Sequence, residues 1–220
     1  MGDTARVPYG TKSLATVERY AIENSQFLAE QGIKLLVVAC NTASALALPK
    51  IREAIGLDVV GVIGPGGRKA VEITKDNPHP KIGVIATEAT VQSDAYAEAI
   101  RRASESAEVY QTACPLFVPL AEEMWTQEPE TFSIAKKYLQ KLIDKDINAL
   151  VLGCTHYPIL RDVIQQTVGE NVTLIDSGEA TADEVANLLK EKNLESNLTN
   201  QNRTRRLCDD LDHFYVTDAA

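Results

Sequence analysis

Cys40 and Cys154 occupy matched settings in the chain. Ile33-Lys34-Leu35-Leu36-Val37-Val38-Ala39-Cys40-Asn41-Thr42-Ala43-Ser44 and Ile147-Asn148-Ala149-Leu150-Val151-Leu152-Gly153-Cys154-Thr155-His156-Tyr157-Pro158 each begin as an apolar run of strand length. Each places its cysteine seven residues after the first isoleucine, and hydroxyl or amide residues follow at once. A thiol in a turn between strand and helix lies near free backbone N–H groups and the positive end of a helix dipole. That setting lowers a cysteine pKa from about 8.5 towards neutrality. Two such thiols facing one cleft would provide a base on one side of a bound molecule and an acid on the other. The plain alternative is that both are small buried hydrophobes.

The copy extends beyond the cysteines. Asp58-Val59-Val60-Gly61-Val62-Ile63-Gly64-Pro65-Gly66 is echoed by Asn171-Val172-Thr173-Leu174-Ile175-Asp176-Ser177-Gly178. The repeat unit is strand, cysteine turn, helix, strand. Open α/β sheets place ligands at the carboxyl ends of their strands, where both cysteines lie.

The flanking pattern supplies the elements that must hold these turns. Thr11 or Ser13 caps a helix that runs to about Glu30, with Leu14, Val17, Ala21 and Leu28 on one face and Gly32 at its end. Strand 33–39 leads to Cys40. A helix over 44–55, disturbed by Pro49, precedes strand 58–63, which stops at Gly64-Pro65-Gly66-Gly67. The pattern then predicts helix 67–75, strand 81–86, a turn at Thr87-Glu88-Ala89-Thr90, helix 93–105 and strand 107–111. Cys114 to Pro119 is irregular, with helices over 120–126 and 131–145. The second unit follows, with a helix to Val168, strand 172–175 and helix 181–192. Asn193 to Arg206 reads as a polar loop and His213 to Thr217 as one more strand. Alternation of this kind predicts an α/β protein of two doubly wound lobes related by the internal repeat, with the cleft between them. The breaks at 64–67 and 177–178 divide it into a first lobe, 1–65 plus 178–220, and a second lobe, 66–177.

Composition narrows the classes. Of 220 residues, 45% are hydrophobic and 24% charged, which is ordinary for a soluble globular chain. A net charge of -9 argues against non-specific nucleic-acid binding and against an anionic membrane surface. No apolar run approaches the roughly 18 residues of a membrane span, and Met1 to Gly10 does not read as a signal peptide. Cys40, Cys114, Cys154 and Cys208 lie far apart without zinc-ligand spacing, so no metal site is expected. Free thiols without an export signal indicate a cytoplasmic protein.

Taken together, Gly2-Asp3-Thr4-Ala5-Arg6-Val7-Pro8-Tyr9-Gly10, Val38-Ala39-Cys40-Asn41-Thr42-Ala43-Ser44, Cys114-Pro115-Leu116-Phe117-Val118-Pro119-Leu120, Gly153-Cys154-Thr155-His156-Tyr157-Pro158 and Leu174-Ile175-Asp176-Ser177-Gly178 resemble the glutamate racemase family of the aspartate/glutamate racemase superfamily. The resemblance covers essentially the whole chain. It implies an isomerase that interconverts L- and D-glutamate without a cofactor, supplying D-glutamate for peptidoglycan, and so for cell-wall biogenesis and cell shape. It implies glutamate as the small-molecule substrate and a homodimer as the assembly. By resemblance Cys40 and Cys154 are the acid/base pair, and His156 and Glu122 assist the second cysteine. Tyr9, Gly10, Asn41, Thr42, Thr155 and His156 match substrate-binding positions, and Thr87 and Thr90 match a threonine pair lining the site. Asp176-Ser177-Gly178 looks like an Asp-Ser-Gly of the family's first strand, but it belongs to the second unit and inherits no catalytic role. The resemblance further implies a strand, loop and helix before Gly2, whose Asp-Ser pair assists the first cysteine, and a helix beyond Ala220. The chain is thus expected to be truncated at both ends, with activity impaired by the loss. Competing readings are an aspartate or hydantoin racemase, a glutamate-binding fragment without turnover, and a thiol redox protein cycling a Cys40–Cys154 disulfide.

Overall fold

The structure is a computed structural model that describes residues 1–195 and 213–218. Its two parallel sheets reproduce the repeat seen in the sequence. The first sheet pairs β1 (Leu36–Val38) with β2 (Val59–Gly61), in register Leu36 to Val59. The second has the order β4-β3-β5-β6, built from β3 (Lys81–Ala86), β4 (Glu108–Ala113), β5 (Ala149–Gly153) and β6 (Thr173–Asp176). In both sheets the strand that leads to a cysteine pairs, in parallel, with the strand that follows its helix. Each crossover is therefore one βαβ unit, the only economical way to join parallel neighbours.

In the first unit, α1 (Leu14–Glu30) starts at Ser13, whose hydroxyl accepts from the Thr16 N–H, and buries Val17, Ala21 and Ser25 at a spacing of four. Leu14, expected on that face, is exposed. The helix after Cys40 is interrupted: α2 (Asn41–Leu46) ends at Ala47, and α3 (Leu48–Ile55) restarts with Pro49 in its first turn. A proline is tolerated there because the first N–H groups of a helix have no intrahelical partner. Apolar side chains of α1, α2, α3, β1 and β2 form one core around Val17, Ala43, Ala47 and Ile51.

The larger sheet is covered on both faces, as an all-parallel sheet must be. On one side lie α7 (Phe117–Glu122), α8 (Pro129–Ile143), a 3-10 turn (Tyr157–Leu160) and α9 (Arg161–Val168), packed around Phe117, Leu139 and Tyr157. On the other lie α4 (Ile63–Ile73) and α6 (Ala95–Ala103), around Tyr96 and Ile100. The short α5 (Glu88–Gln92) follows β3, and α10 (Ser177–Glu191) follows β6 and packs on α4.

Several expectations change. Strand 33–39 shrinks to β1, because among the described residues β1 finds a ladder partner only in β2. Gly64-Pro65-Gly66-Gly67 does not break the chain but forms the first turns of α4. Ser177 and Gly178 likewise open α10 rather than a linker. The His213–Thr217 strand is a single parallel bridge between Gly2 and Val216. Residues 196–212 lie outside the described residues, and with them most of the expected loop at Asn193–Arg206 and Cys208. Among the described residues no helix is long and apolar enough to cross a membrane.

Candidate active site

Both cysteines open onto one cavity of about 700 Å³ at the carboxyl ends of β1 and β5. Tyr9, Gly10, Asn41, Thr42, Thr87, Glu122, Thr155 and His156 line it with them. Thr90 stands one layer behind, 1% exposed.

Cys40 is the N-cap of α2, its sulfur accepting from the Ala43 N–H at 3.5 Å. It sits deep in the fold yet faces the cavity, so it keeps partial exposure. Cys154 is buried and follows β5 directly, but an open turn, not an α-helix, comes next. Its sulfur lies 3.6 Å from His156 Nδ1, and His156 Nε2 lies 2.5 Å from Glu122 Oε1. Glu122 is 63% exposed at its side chain and still meets the imidazole. His156 makes no capping bond to its helix. Cysteine, imidazole and carboxylate therefore stand in one line on the second side of the cavity.

The expected lowering of the thiol pKa values does not occur; both thiols are raised. Burial pushes Cys154 up to about 12, against the N–H of His156, and the nearby Cys40 adds to the rise. Burial also raises Cys40, opposed by the Ala43 and Thr42 N–H groups and the Thr42 hydroxyl. Desolvation of a thiolate outweighs a few N–H donors. Cys40, Cys114 and Cys154 are free cysteines.

The hydroxyl groups are arranged across the two sheets. Thr42 on α2 lies 2.9 Å from Thr87 and 3.4 Å from Thr90, and Thr87 and Thr90 are 3.0 Å apart, oxygen to oxygen. Thr87 caps α5 by accepting from the Thr90 N–H. Gly10 abuts this cluster so closely that a Cβ there would sit 2.7 Å from the Thr87 Cβ. The Tyr9 hydroxyl donates to Asp3, which also pairs with Arg6 at 2.8 Å. Burial and that bond raise the Tyr9 phenol. Its hydroxyl is thus engaged inside the protein, while the Tyr9 and Gly10 chain borders the cavity.

Two residues here escaped the sequence reading. Tyr96 and Ser177 both touch the Asn41 side chain, at 2.6 and 3.5 Å. Tyr96 looked like any apolar position of an amphipathic helix, and Ser177 was set aside with its tripeptide.

The chain and its fold are similar to known proteins. The Asp/Glu/Hydantoin racemase family model matches residues 2–185. A glutamate racemase from Geobacter metallireducens is 53% identical over 189 residues, covering 86% of this chain and 69% of the relative. The structure of a glutamate racemase isoform from Bacillus anthracis superposes with a TM-score of 0.84 at 38% identity, covering 89% of this chain and 73% of that one. A Francisella tularensis glutamate racemase solved with D-glutamate superposes with a TM-score of 0.82 at 40% identity, covering 90% of this chain and 73% of that one. The chain belongs to the Asp/Glu/Hydantoin racemase family, among its glutamate racemases.

Proposed function

We propose that this chain interconverts L- and D-glutamate by proton transfer between two thiols, without a cofactor. One thiolate removes the α-proton from one face of bound glutamate. The thiol opposite donates its proton to the other face, giving the opposite enantiomer and exchanging the two protonation states. The single observation that carries this is the shared cavity, into which Cys40 and Cys154 project from the ends of two repeated strand units. The α-ammonium of bound glutamate brings a positive charge near the thiols, and its proximity favours a thiolate.

Asn41, Thr42, Thr87, Thr155 and the Tyr9–Gly10 chain are proposed to bind the carboxylates and the amino group. Donors held in place before the reaction stabilise the charge that builds at the α-carboxylate. Thr90 fixes Thr42 and Thr87. Glu122 and His156 are proposed to assist Cys154 by holding the imidazole beside the sulfur. The proposed lobes, 1–65 with 178–220 and 66–177, meet at this cleft, with their boundaries in the first turns of α4 and α10 rather than in linkers. D-glutamate from this reaction would serve peptidoglycan synthesis in the cytoplasm, and the protein would act as a homodimer.

Proton NMR in heavy water, with L- and D-glutamate incubated separately, tests the reaction. Loss of the α-proton signal with build-up of the opposite enantiomer is expected from both. A folded protein that exchanges neither would overturn the proposed activity.

A further inference from the structure

Tyr96 touches both cysteine units at once. Its ring packs against the residue before Cys154: a Cβ on Gly153 would lie 3.0 Å from Tyr96 Cε2. On the other side the ring meets Gly66, where a Cβ would lie 3.2 Å from Cε1 and 3.3 Å from the hydroxyl oxygen. Its hydroxyl donates to Asn41 Oδ1 at 2.6 Å, and Asn41 is the residue after Cys40. The side chain is fully buried.

The hydrogen bonds around Asn41 run one way. Ser177 Oγ donates to the Leu152 carbonyl at 3.3 Å, and a carbonyl oxygen only accepts. With its one hydrogen committed, Ser177 accepts from Asn41 Nδ2 at 3.5 Å. The Asn41 amide must then present its oxygen to Tyr96, which donates. The amide cannot flip without leaving Oδ1 facing Ser177 with no donor and Nδ2 facing a phenol whose hydrogen has lost its acceptor. Burial raises the Tyr96 phenol, so it keeps the hydrogen this chain needs.

We propose that Tyr96, with Ser177, is a positioning residue for the reaction. Together they hold the Asn41 amide in one orientation, leave its second N–H for the ligand, and tie the Cys40 turn to the strand that carries Cys154. The anchor is Leu152, two residues before Cys154 on β5. Chemistry on two faces of one carbon requires the two thiols to keep a constant spacing, and this chain of bonds crosses the gap between their units. The inference rests on the proposed racemase activity for its purpose, while the clamp itself is measurable in the unliganded protein.

The test begins without substrate. Asn41 side-chain amide signals in a ¹⁵N-labelled protein are expected to be dispersed and slow to exchange. In Tyr96→Phe, and separately in Ser177→Ala, they are expected to exchange at least about tenfold faster, the effect of losing one hydrogen bond. Ser177→Ala leaves the Tyr96 ring in place, so it reads the clamp if the Phe variant folds poorly. Next, D-glutamate binding or turnover is measured in a double-mutant cycle. Tyr96→Phe is expected to weaken D-glutamate affinity about tenfold. In an Asn41→Ala background the same change is expected to matter by less than about twofold, because its effect passes through Asn41. Unchanged Asn41 signals in both variants would overturn the clamp even if the enzyme turns over. Losses that multiply in the double variant would also overturn it. Asn41 signals that respond in a protein that neither binds nor turns over glutamate would leave the clamp standing and sink the racemase reading.

Discussion

The Cys40 and Cys154 units share a strand, a turn and a following parallel partner, but they treat their sulfurs differently. Cys40 caps α2 directly, and its polar company is backbone N–H groups and the Thr42 hydroxyl. Cys154 follows β5 into an open turn, and it has the His156 ring backed by Glu122 in addition to N–H donors. Cys40 keeps partial exposure, whereas Cys154 is buried. A duplicated scaffold thus supplies the placement of two thiols, and local side chains then separate their behaviour. Symmetry of position does not require symmetry of proton affinity.

The largest effect that sharpens this contrast is alkylation of the unliganded protein. Both thiols titrate above neutrality, so iodoacetamide labelling should rise about tenfold per pH unit from pH 7 to 8.5, followed residue by residue by mass spectrometry. Cys40 should react faster than Cys154 throughout, because it is the more exposed. A plateau below pH 8 at either cysteine would contradict the raised pKa there. Glu122→Gln comes next. Losing the charge-assisted bond to His156 should slow the half-reaction that uses Cys154 as base about tenfold, near 1.5 kcal/mol. The opposite half-reaction should slow less, and equal losses in both directions would mean that Glu122 serves the whole site.

Stability gives a smaller effect. Cys154 holds its proton to about 12 in the folded protein, above its unfolded value. The folded state then binds more protons than the unfolded state at alkaline pH. The stabilisation is complete below about pH 8.5 and is lost as pH rises towards 12. The melting temperature should therefore fall between pH 8 and pH 10, and Cys154→Ser should flatten that fall. Smallest is Thr90→Val, which removes one corner of the hydroxyl cluster. It should cost about 1 kcal/mol in urea unfolding. No loss at all would mean that Thr42 and Thr87 satisfy each other without it.

The second unit was more legible in the sequence than the first, and the reason is ladder pairing. Lys81–Ala86 was read in full, and β5 lies within the expected run, because these strands are central and paired on both edges. The Ile33 run has the same apolar character but, among the described residues, only one neighbour, so its first three residues form no strand. Gly64-Pro65-Gly66-Gly67 carries every local signal of a break, yet packing of Gly66 and Gly67 against α6 and the start of α10 favours helix. Tertiary contact overrode propensity there. The cysteines, Asn41, Thr42 and His156 could be picked out because they stand together in short motifs, and the fold brings these to one cavity. Tyr96 and Ser177 were not, because they meet Asn41 from 55 and 136 residues away and their own neighbourhoods carry no chemical signal.

The most direct test of two thiols acting on two faces uses single-cysteine variants. Cys40→Ser and Cys154→Ser are each incubated with L- and with D-glutamate in heavy water, and α-proton loss is followed by NMR. Each variant should retain exchange from one enantiomer only, and the two should retain opposite ones. Exchange of both enantiomers by either variant, or of the same enantiomer by both, would contradict the account.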